Sequence, residues 1–336
     1  MDCAPPSSHH RSRVLRLGQA ALLACAVWLS AGCGPRYEPP LMVGTNNWTG
    51  YEPLYLARDL GLHDGLPVRL VELSSTTQVM DALRVGRLDL AGLTLDEALT
   101  MAQEGVPIRI IWAMDISAGA DAIVARPDIR SLSDLRGKRI GVEQTALGAY
   151  MLQAALQQAG MQANEIHVVP LPLDEHVAAW RSHNVHAVVT FDPVRQALIN
   201  EGGTEIFDSR AIPNQIVDVL VARESALECC ARRIAQLLDG QRRALTHLTQ
   251  QRDDALARMA RRPGTSAAEV ASSLEGMELP DVSANRALLG GETPPLARTA
   301  QQLAQVMHQR GLLPRPMNPA GLTGLIDGRF VRELQP

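Results

Sequence analysis

Residues 41–60 read LMVGTNNWTGYEPLYLARDL, passing from a short apolar run through a turn-rich aromatic loop into a helix. Leu41, Met42 and Val43 make the run, Gly44 to Gly50 is rich in turn formers, and Glu52-Pro53 opens the helix. Proline's fixed φ suits a first helical turn, and an acid there complements the positive end of the helix. A strand whose carboxyl end opens into a loop and then a helix is how a doubly wound α/β sheet presents a ligand. The stretch therefore predicts an α/β fold with Trp48 and Tyr51 standing in a crevice.

The same alternation continues on both sides of that unit. Strands are predicted at 41–44, 67–73, 89–93 and 108–114, with helices at 53–60, 77–85 and 95–104 between them, the pattern of a parallel sheet with helices on both faces. A strand at 122–125 follows, and the text changes register at Arg126-Pro127. A second run then has strands at 139–142, 166–170, 187–191 and 216–222 and helices at 147–159, 175–183 and 193–200. Past Arg223 the pattern is helical, at 229–261, 266–277 and 296–309. Residues 41–125 and 223–336 are thus expected to form one lobe and 126–222 the other, with two chain crossings, near Ala125 and Ala222, as the hinge.

Residues 1–32 have the parts of an export signal: Arg11, Arg13 and Arg16, then an apolar segment at 17–28. Leu29-Ser30-Ala31-Gly32-Cys33 looks like a lipobox, with Cys33 as lipid acceptor and 33–40 as tether. The apolar run is shorter than the ~20 residues a membrane span needs. Gly34 lacks the aspartate that retains lipoproteins in an inner membrane, which points to the outer one where there are two. The 336 residues carry a net charge of −4, with 46% hydrophobic and 20% charged residues, an ordinary globular composition. No basic tract follows the N-terminus, which argues against nucleic acid as a partner. Of five cysteines only Cys229 and Cys230 remain beyond Cys33. They read as the start of a helix rather than a disulfide framework, since neighbours bridge each other only with strain. No Cys or His spacing suggests a metal site.

Read together, Trp48-Thr-Gly-Tyr51-Glu52-Pro, Asp134-Leu-Arg-Gly-Lys138-Arg-Ile-Gly-Val and Thr190-Phe-Asp192-Pro resemble the substrate-binding proteins of ABC importers. The branch is the nitrate, sulfonate, taurine and pyrimidine-precursor group, and the resemblance covers about 41–223. It implies a type II periplasmic-binding-protein fold, two doubly wound lobes on a two-crossing hinge with a helical C-terminal extension. It also implies a lipid-tethered extracytoplasmic receptor that passes a small molecule to an ABC permease and its ATPase. A receptor for a membrane signalling partner would use the same cleft. Relatives of the fold include a pyrimidine synthase that holds pyridoxal phosphate on a lysine. Here the one lysine, Lys138, falls in a structural stretch, and that enzyme's cysteine run, a G-x-S-x-G elbow and a Walker loop are all missing. No cofactor and no catalysis are expected.

The polar breaks of the chain fall at the carboxyl ends of predicted strands, where such sheets bind ligands. From them come the ligand-binding candidates Asn47, Trp48, Tyr51, Glu52, Thr94, Asp96, Asp115, Ser117 and Asp121 on one side, and Glu143, Thr145 and Asp192 on the other. Several have a plainer use: Trp48 and Tyr51 as lobe packing, Thr94, Asp96 and Thr145 as helix caps, 115–121 as a turn. Anions are the cargo most often associated with this branch, and the chain departs from that pattern. Acids recur in these loops and no arginine does, so a neutral or cationic ligand is expected, such as an amine or amino-heterocycle stacked on Trp48.

Overall fold

A computed structural model of the chain describes residues 1–2 and 38–335, so the expected export signal and lipid-acceptor Cys33 lie outside the described residues. All elements below belong to one unit, Pro40–Pro336. The first sheet contains β1 (Leu41–Thr45), β2 (Val68–Glu72), β3 (Leu90–Thr94), β4 (Ile108–Ser117), β10 (Val217–Arg223) and β11 (Met277–Glu278), in the order β11-β4-β10-β3-β1-β2. The second contains β5 (Asp121–Ala125), β6 (Arg139–Val142), β7 (His167–Pro170), β8 (Ala187–Phe191) and β9 (Thr204–Asp208), in the order β7-β6-β8-β5-β9.

Both sheets follow one plan. β1 pairs in parallel with β2 and β3, as β6 does with β7 and β8. In each, the strand delivered from the other sheet is inserted antiparallel to both its neighbours: β10 between β3 and β4, β5 between β8 and β9. The chain crosses first between Ser117 and Asp121 and again between Asp208 and Val217.

The connecting helices of the first sheet are α1 (Glu52–Asp59), α2 (Thr76–Arg84) and α3 (Leu95–Gln103). Those of the second are α4 (Ala146–Gln158), α5 (His176–Arg181) and α6 (Val194–Asn200). Their starts are written locally: Ser75 caps α2 by accepting from the Gln78 amide at 3.3 Å, and Pro53 sits in the first turn of α1. After β10 the chain is nearly all helix: α7 (Glu224–Gln250), α8 (Arg252–Met259), α9 (Ala267–Glu275), α10 (Val282–Leu289), α11 (Pro295–Gln309), α12 (Pro319–Gly324) and α13 (Arg329–Glu333). α7 packs on α1, and α11 on α3, so this region covers the first sheet. No helix of the described residues is long and apolar enough to cross a membrane.

Four expectations are corrected. The strand expected in the first lobe, β5, lies in the second sheet, and the strand expected in the second lobe, β10, lies in the first, so both crossings come earlier than Ala125 and Ala222. An apolar run suits the middle of either sheet, and only its distant partners decide which. The sheets are mixed rather than parallel for the same reason. β9 was not expected, because Thr-Glu-Ile-Phe-Asp is a polar edge strand without a clear apolar run. Cys229 and Cys230 are bonded to each other, and Cys230 leaves the helical conformation of α7 (φ −133°, ψ 17°). Successive side chains point well apart around a helix, so two neighbouring sulfurs meet only if one residue departs from it.

Candidate binding site

The two crossings are fastened to each other by small hydroxyl side chains. Ser117 and Ser209, both buried, have hydroxyls 2.8 Å apart, and the Gly119 amide donates to the Ser209 hydroxyl at 2.6 Å. Gly119 has φ +122°, which only glycine adopts readily, and this lets the chain turn from β4 into β5 within three residues. β4 and β5 therefore leave the hinge with Asp115 and Asp121 a few residues apart, one in each sheet.

Between the sheets lies a cavity of about 20 Å³, room for little more than one water, lined by Thr76 and Glu97 from the first lobe and by Asp121, Glu143, Thr145, His176, Thr190 and Phe191. Two contacts span the lobes at its margin. The Trp48 indole meets the Phe191 ring edge-on, centroids 5.2 Å apart. Glu143 accepts from the Thr77 amide at 3.0 Å and the Thr77 hydroxyl at 2.9 Å, so a carboxylate of one lobe occupies the N-terminus of a helix of the other.

Carboxyls dominate the surroundings. Trp48 Nε1 donates to Asp115 Oδ2 at 2.9 Å, and the Tyr51 hydroxyl donates to Asp218, which faces Asp115 across the β4–β10 pair. A side chain at Gly50 would lie 1.8 Å from Asp115 Oδ2, and one at Gly92 2.8 Å from the Tyr51 ring, so glycine admits both contacts. Burial pushes the carboxyls up: Asp96 to about 6, Asp121 to about 7 and Asp115 to about 8. Glu97 and Asp218 rise well above the ordinary range, through burial first and then the field of neighbouring acids. Burial also raises Glu143, against the two bonds from Thr77. Asp96 Oδ2, Asp115 Oδ1, Asp121 Oδ2 and Asp192 Oδ1 are buried without a hydrogen-bond partner.

Several local donors are already given to protein acceptors, while the buried Thr94 hydroxyl has no partner. The Thr94 amide donates to Glu97 at 2.9 Å, and the Asp121 amide to the Ser117 hydroxyl at 3.3 Å. His176, held neutral by burial with its pKa pushed down to about 4, has Nε2 3.2 Å from the Leu171 carbonyl and Nδ1 3.3 Å from the Thr190 hydroxyl. A carbonyl only accepts, so Nε2 carries the proton and Nδ1 accepts from Thr190. No arginine or lysine lines the cavity; the cation beside it is Arg195, 3.5 Å from Asp192 and held more closely, at 2.7 Å, by Glu205.

Of the residues singled out in the sequence, the structure brings Trp48, Tyr51, Asp96, Asp115, Asp121, Glu143, Thr145 and Asp192 to the cavity or the carboxyls around it. Tyr51 is buried beneath β3 instead of standing free in a crevice. Ser117 belongs to the hinge. Thr145 caps α4, accepting from the Gly148 amide at 3.4 Å, and also lines the cavity. Thr94 gives its amide to Glu97 at the start of α3, and Asn47, half-buried, keeps Oδ1 unpartnered. Glu52 points elsewhere: its Oε1 takes the Arg262 guanidinium, its Oε2 is unpartnered, and it lines a separate pocket of about 180 Å³ with Thr49, Gln196 and Ser273. Glu97, Asp218 and His176 were not foreseen. Asp218 left a legible signal, a lone acid inside the buried run Ile-Val-Asp-Val-Leu-Val-Ala. Glu97 left none, since an acid three residues after a threonine cap reads as a capping partner. Among the described residues no group of His, Cys, Asp or Glu is arranged to hold a metal ion.

A putative aliphatic sulfonates-binding protein of Escherichia coli (strain K12) is 25% identical over 251 residues, covering 74% of this chain and 76% of the relative. The alkanesulfonate-binding protein SsuA from Xanthomonas axonopodis pv. citri, solved bound to MOPS, superposes with a TM-score of 0.70 at 19% identity over 85% of this chain and 99% of that one. The desulfurization enzyme DSZB superposes at 0.62, with 16% identity over 87% of this chain and 97% of that one. The fold is thus that of the type II periplasmic binding proteins, and it hosts both binding proteins and an enzyme. The profile of the NMT1-like family matches residues 34–262, and this chain belongs to that family.

Proposed function

We propose that the protein is an extracytoplasmic solute-binding lipoprotein of an ABC importer, anchored through Cys33, that closes its two lobes over a small neutral or cationic ligand rich in N–H donors. The observation that carries this reading is the interlobe cavity lined by Asp121, whose Oδ2 is unpartnered, with further unpartnered carboxyl oxygens around it on Asp96 and Asp115 of the first lobe and Asp192 of the second. A ligand gripped from both sides favours the closed arrangement by its differential affinity for it. The family fits this role, and the relatives named above include binding proteins of the same fold.

The name of the Escherichia coli relative favours a sulfonate. Anions are commonly held at helix N-termini, and here three such ends are in use. Glu143 occupies α2, Glu97 takes the Thr94 amide at the start of α3, and Thr145 caps α4. An anionic ligand would also meet the carboxyls without a compensating cation in the cavity wall. Calorimetry across amines, guanidines, nitrate and alkanesulfonates tests the reading, with binding expected among the nitrogenous compounds. Tight alkanesulfonate or nitrate binding overturns the ligand class. Lipid attachment is checked by labelling with a radioactive fatty acid, which Cys33→Ala should abolish. No catalytic step is assigned to the site: the neutral His176 ring is committed on both nitrogens, to the Leu171 carbonyl and the Thr190 hydroxyl.

A further inference from the structure

Resting on the solute-binding reading above, we infer that the ligand enters between the lobes, which must part to widen this cavity of about 20 Å³, as a donor-only organic cation of the ammonium or guanidinium type, and that it enters in exchange for protons held by the carboxyls of the two lobes. The first half of the inference follows from a hydrogen-bond inventory. Around the cavity the N–H donors Trp48 Nε1, Thr77 N, Thr94 N and Asp121 N are satisfied by protein acceptors. The Tyr51 hydroxyl is spent on Asp218, and the Thr190 hydroxyl on His176. What remains without partners is four buried carboxyl oxygens and the Thr94 hydroxyl, and of these Asp121 Oδ2 belongs to a residue lining the cavity itself and 4% exposed. A ligand N–H answers such an oxygen whether or not its carboxyl is ionised, whereas a ligand carbonyl or ring nitrogen is answered only by a carboxyl that keeps its proton or by the Thr94 hydroxyl. A ligand that brings only N–H groups answers what the site lacks.

The second half follows from charge. From the first lobe Glu97 lines the cavity, and Tyr51, Asp96, Asp115 and Asp218 lie buried around it, each within the field of Glu97 or of another of the acids. From the second, Asp121, Glu143 and neutral His176 line it, with Asp192 near Asp121 and Asp174 beyond Glu143. Arg195 reaches only Asp192, while Tyr150 of α4, within the field of Asp96, has Arg310 over its ring at 5.4 Å. This many carboxyls cannot all ionise in one low-dielectric space with so little positive charge, so part of the set carries protons when the lobes are together. A cation placed among them favours the ionised form and drives those protons off.

By linkage, affinity for such a cation rises as pH rises toward the raised pKa values, about 7 for Asp121 and about 8 for Asp115, and levels above them. A matched pair of probes separates the possibilities. n-Butylguanidinium and n-butylurea share a shape, but the urea replaces one charged donor by a carbonyl acceptor. Titration calorimetry of the purified full chain with each, at about pH 5.5 and about pH 8 and in phosphate and Tris, reads affinity and proton release together. The expected result is guanidinium binding at least about tenfold tighter at the higher pH. The apparent heat should differ between the two buffers by about one released proton, and butylurea should bind at least about tenfold more weakly. Asp121→Asn should weaken guanidinium binding and flatten its pH dependence while leaving the melting temperature at about pH 8 equal or higher, because it removes a buried acid. Equal binding of the urea, a flat pH dependence, or no binding of the guanidinium overturns the inference. The solute-binding reading is judged separately by the wider panel: it survives if any small molecule there binds and raises the melting temperature, and it falls with the inference if none does.

Discussion

Glu52 and Asp121 are both buried carboxyls, and the molecule treats them in opposite ways. Glu52, 1% exposed at the start of α1, has the Arg262 guanidinium on Oε1. That guanidinium also pairs with Glu72 at 2.9 Å and stacks on the Tyr55 ring at 4.1 Å. Asp121, 4% exposed between the lobes, has no cation and keeps an unpartnered oxygen, with Asp96 and Asp115 nearby in the same condition and Asp192 reached only by Arg195 at 3.5 Å. A buried charge is tolerated when it is paired. The first group has its partner built into the chain, as a structural element requires. The second lacks one, as a site awaiting a ligand requires. The cost of that arrangement is carried by the ligand-free protein and should be measurable there.

The largest expected effect is on stability against pH. Asp96, Asp121 and Asp115 have folded-state pKa values raised to about 6, 7 and 8, so the folded protein binds more protons than the unfolded chain above about pH 4. Stability therefore falls as pH rises, each carboxyl costing up to about 1.4 kcal/mol per pH unit until its folded pKa is passed. From about pH 5 to about pH 8 the three carboxyls should cost on the order of 8 kcal/mol in urea denaturation, Glu52 adding to this and the depressed His176 taking back about 2 kcal/mol. A flat profile, or one rising toward pH 8, would erase the contrast by showing that these acids are solvated or already paired.

Breaking the paired region should cost less and should depend on pH in its own way. Arg262→Met keeps a long side chain against Tyr55 but leaves Glu52 without its guanidinium. The loss should be about 3 kcal/mol at about pH 8. Glu52, already raised to about 7 by burial despite Arg262, is protonated at about pH 5 with or without the arginine. The variant should therefore approach the parent's stability there, keeping only the stacking loss of about 1 kcal/mol. An equal loss at both values of pH would mean that the pair contributes packing and no charge.

The paired and unpaired regions were unequally legible in the sequence. Asp96, Asp115, Asp121 and Asp192 stand at strand ends in polar breaks, and alternation plus strand-end position was enough to nominate them. Arg262 lies 210 positions from Glu52, so nothing local announces that pair, and Glu52 was assigned to the cleft. Asp218 faces Asp115 only because β10 inserts antiparallel between β3 and β4. The alternation of elements placed two α/β layers in the right order, because strand and helix periods and caps such as Ser75 are written within a few residues. The exchange of β5 and β10 between the sheets is decided by pairings between strands far apart in the chain, and apolar runs such as Ala-Ile-Val-Ala and Val-Leu-Val-Ala are nearly interchangeable for that purpose.

The smallest effect isolates what one hydrogen bond does for a carboxyl that has no cation. Trp48→Phe removes the Nε1 donor from Asp115 Oδ2 and leaves an aromatic ring to meet Phe191. Two losses follow, and pH separates them. The smaller ring leaves a gap, a packing cost that is the same at any pH. The indole donor favours the charged form of Asp115, whose pKa of about 8 is already held below what burial alone would give. Without it, that pKa moves further up, and ionising Asp115 near pH 8 becomes harder. Asp115 is only half ionised at its pKa, so the variant's destabilisation should be larger at about pH 9 than at about pH 5 by about 1 kcal/mol, the ordinary size of a hydrogen bond to a charged group. Urea denaturation of parent and variant at both values of pH measures that difference. If it is absent, the indole is a wall of the cleft and no more. If it is present, Asp115 owes part of its charge to Trp48, and a cationic ligand would add to what the indole has begun.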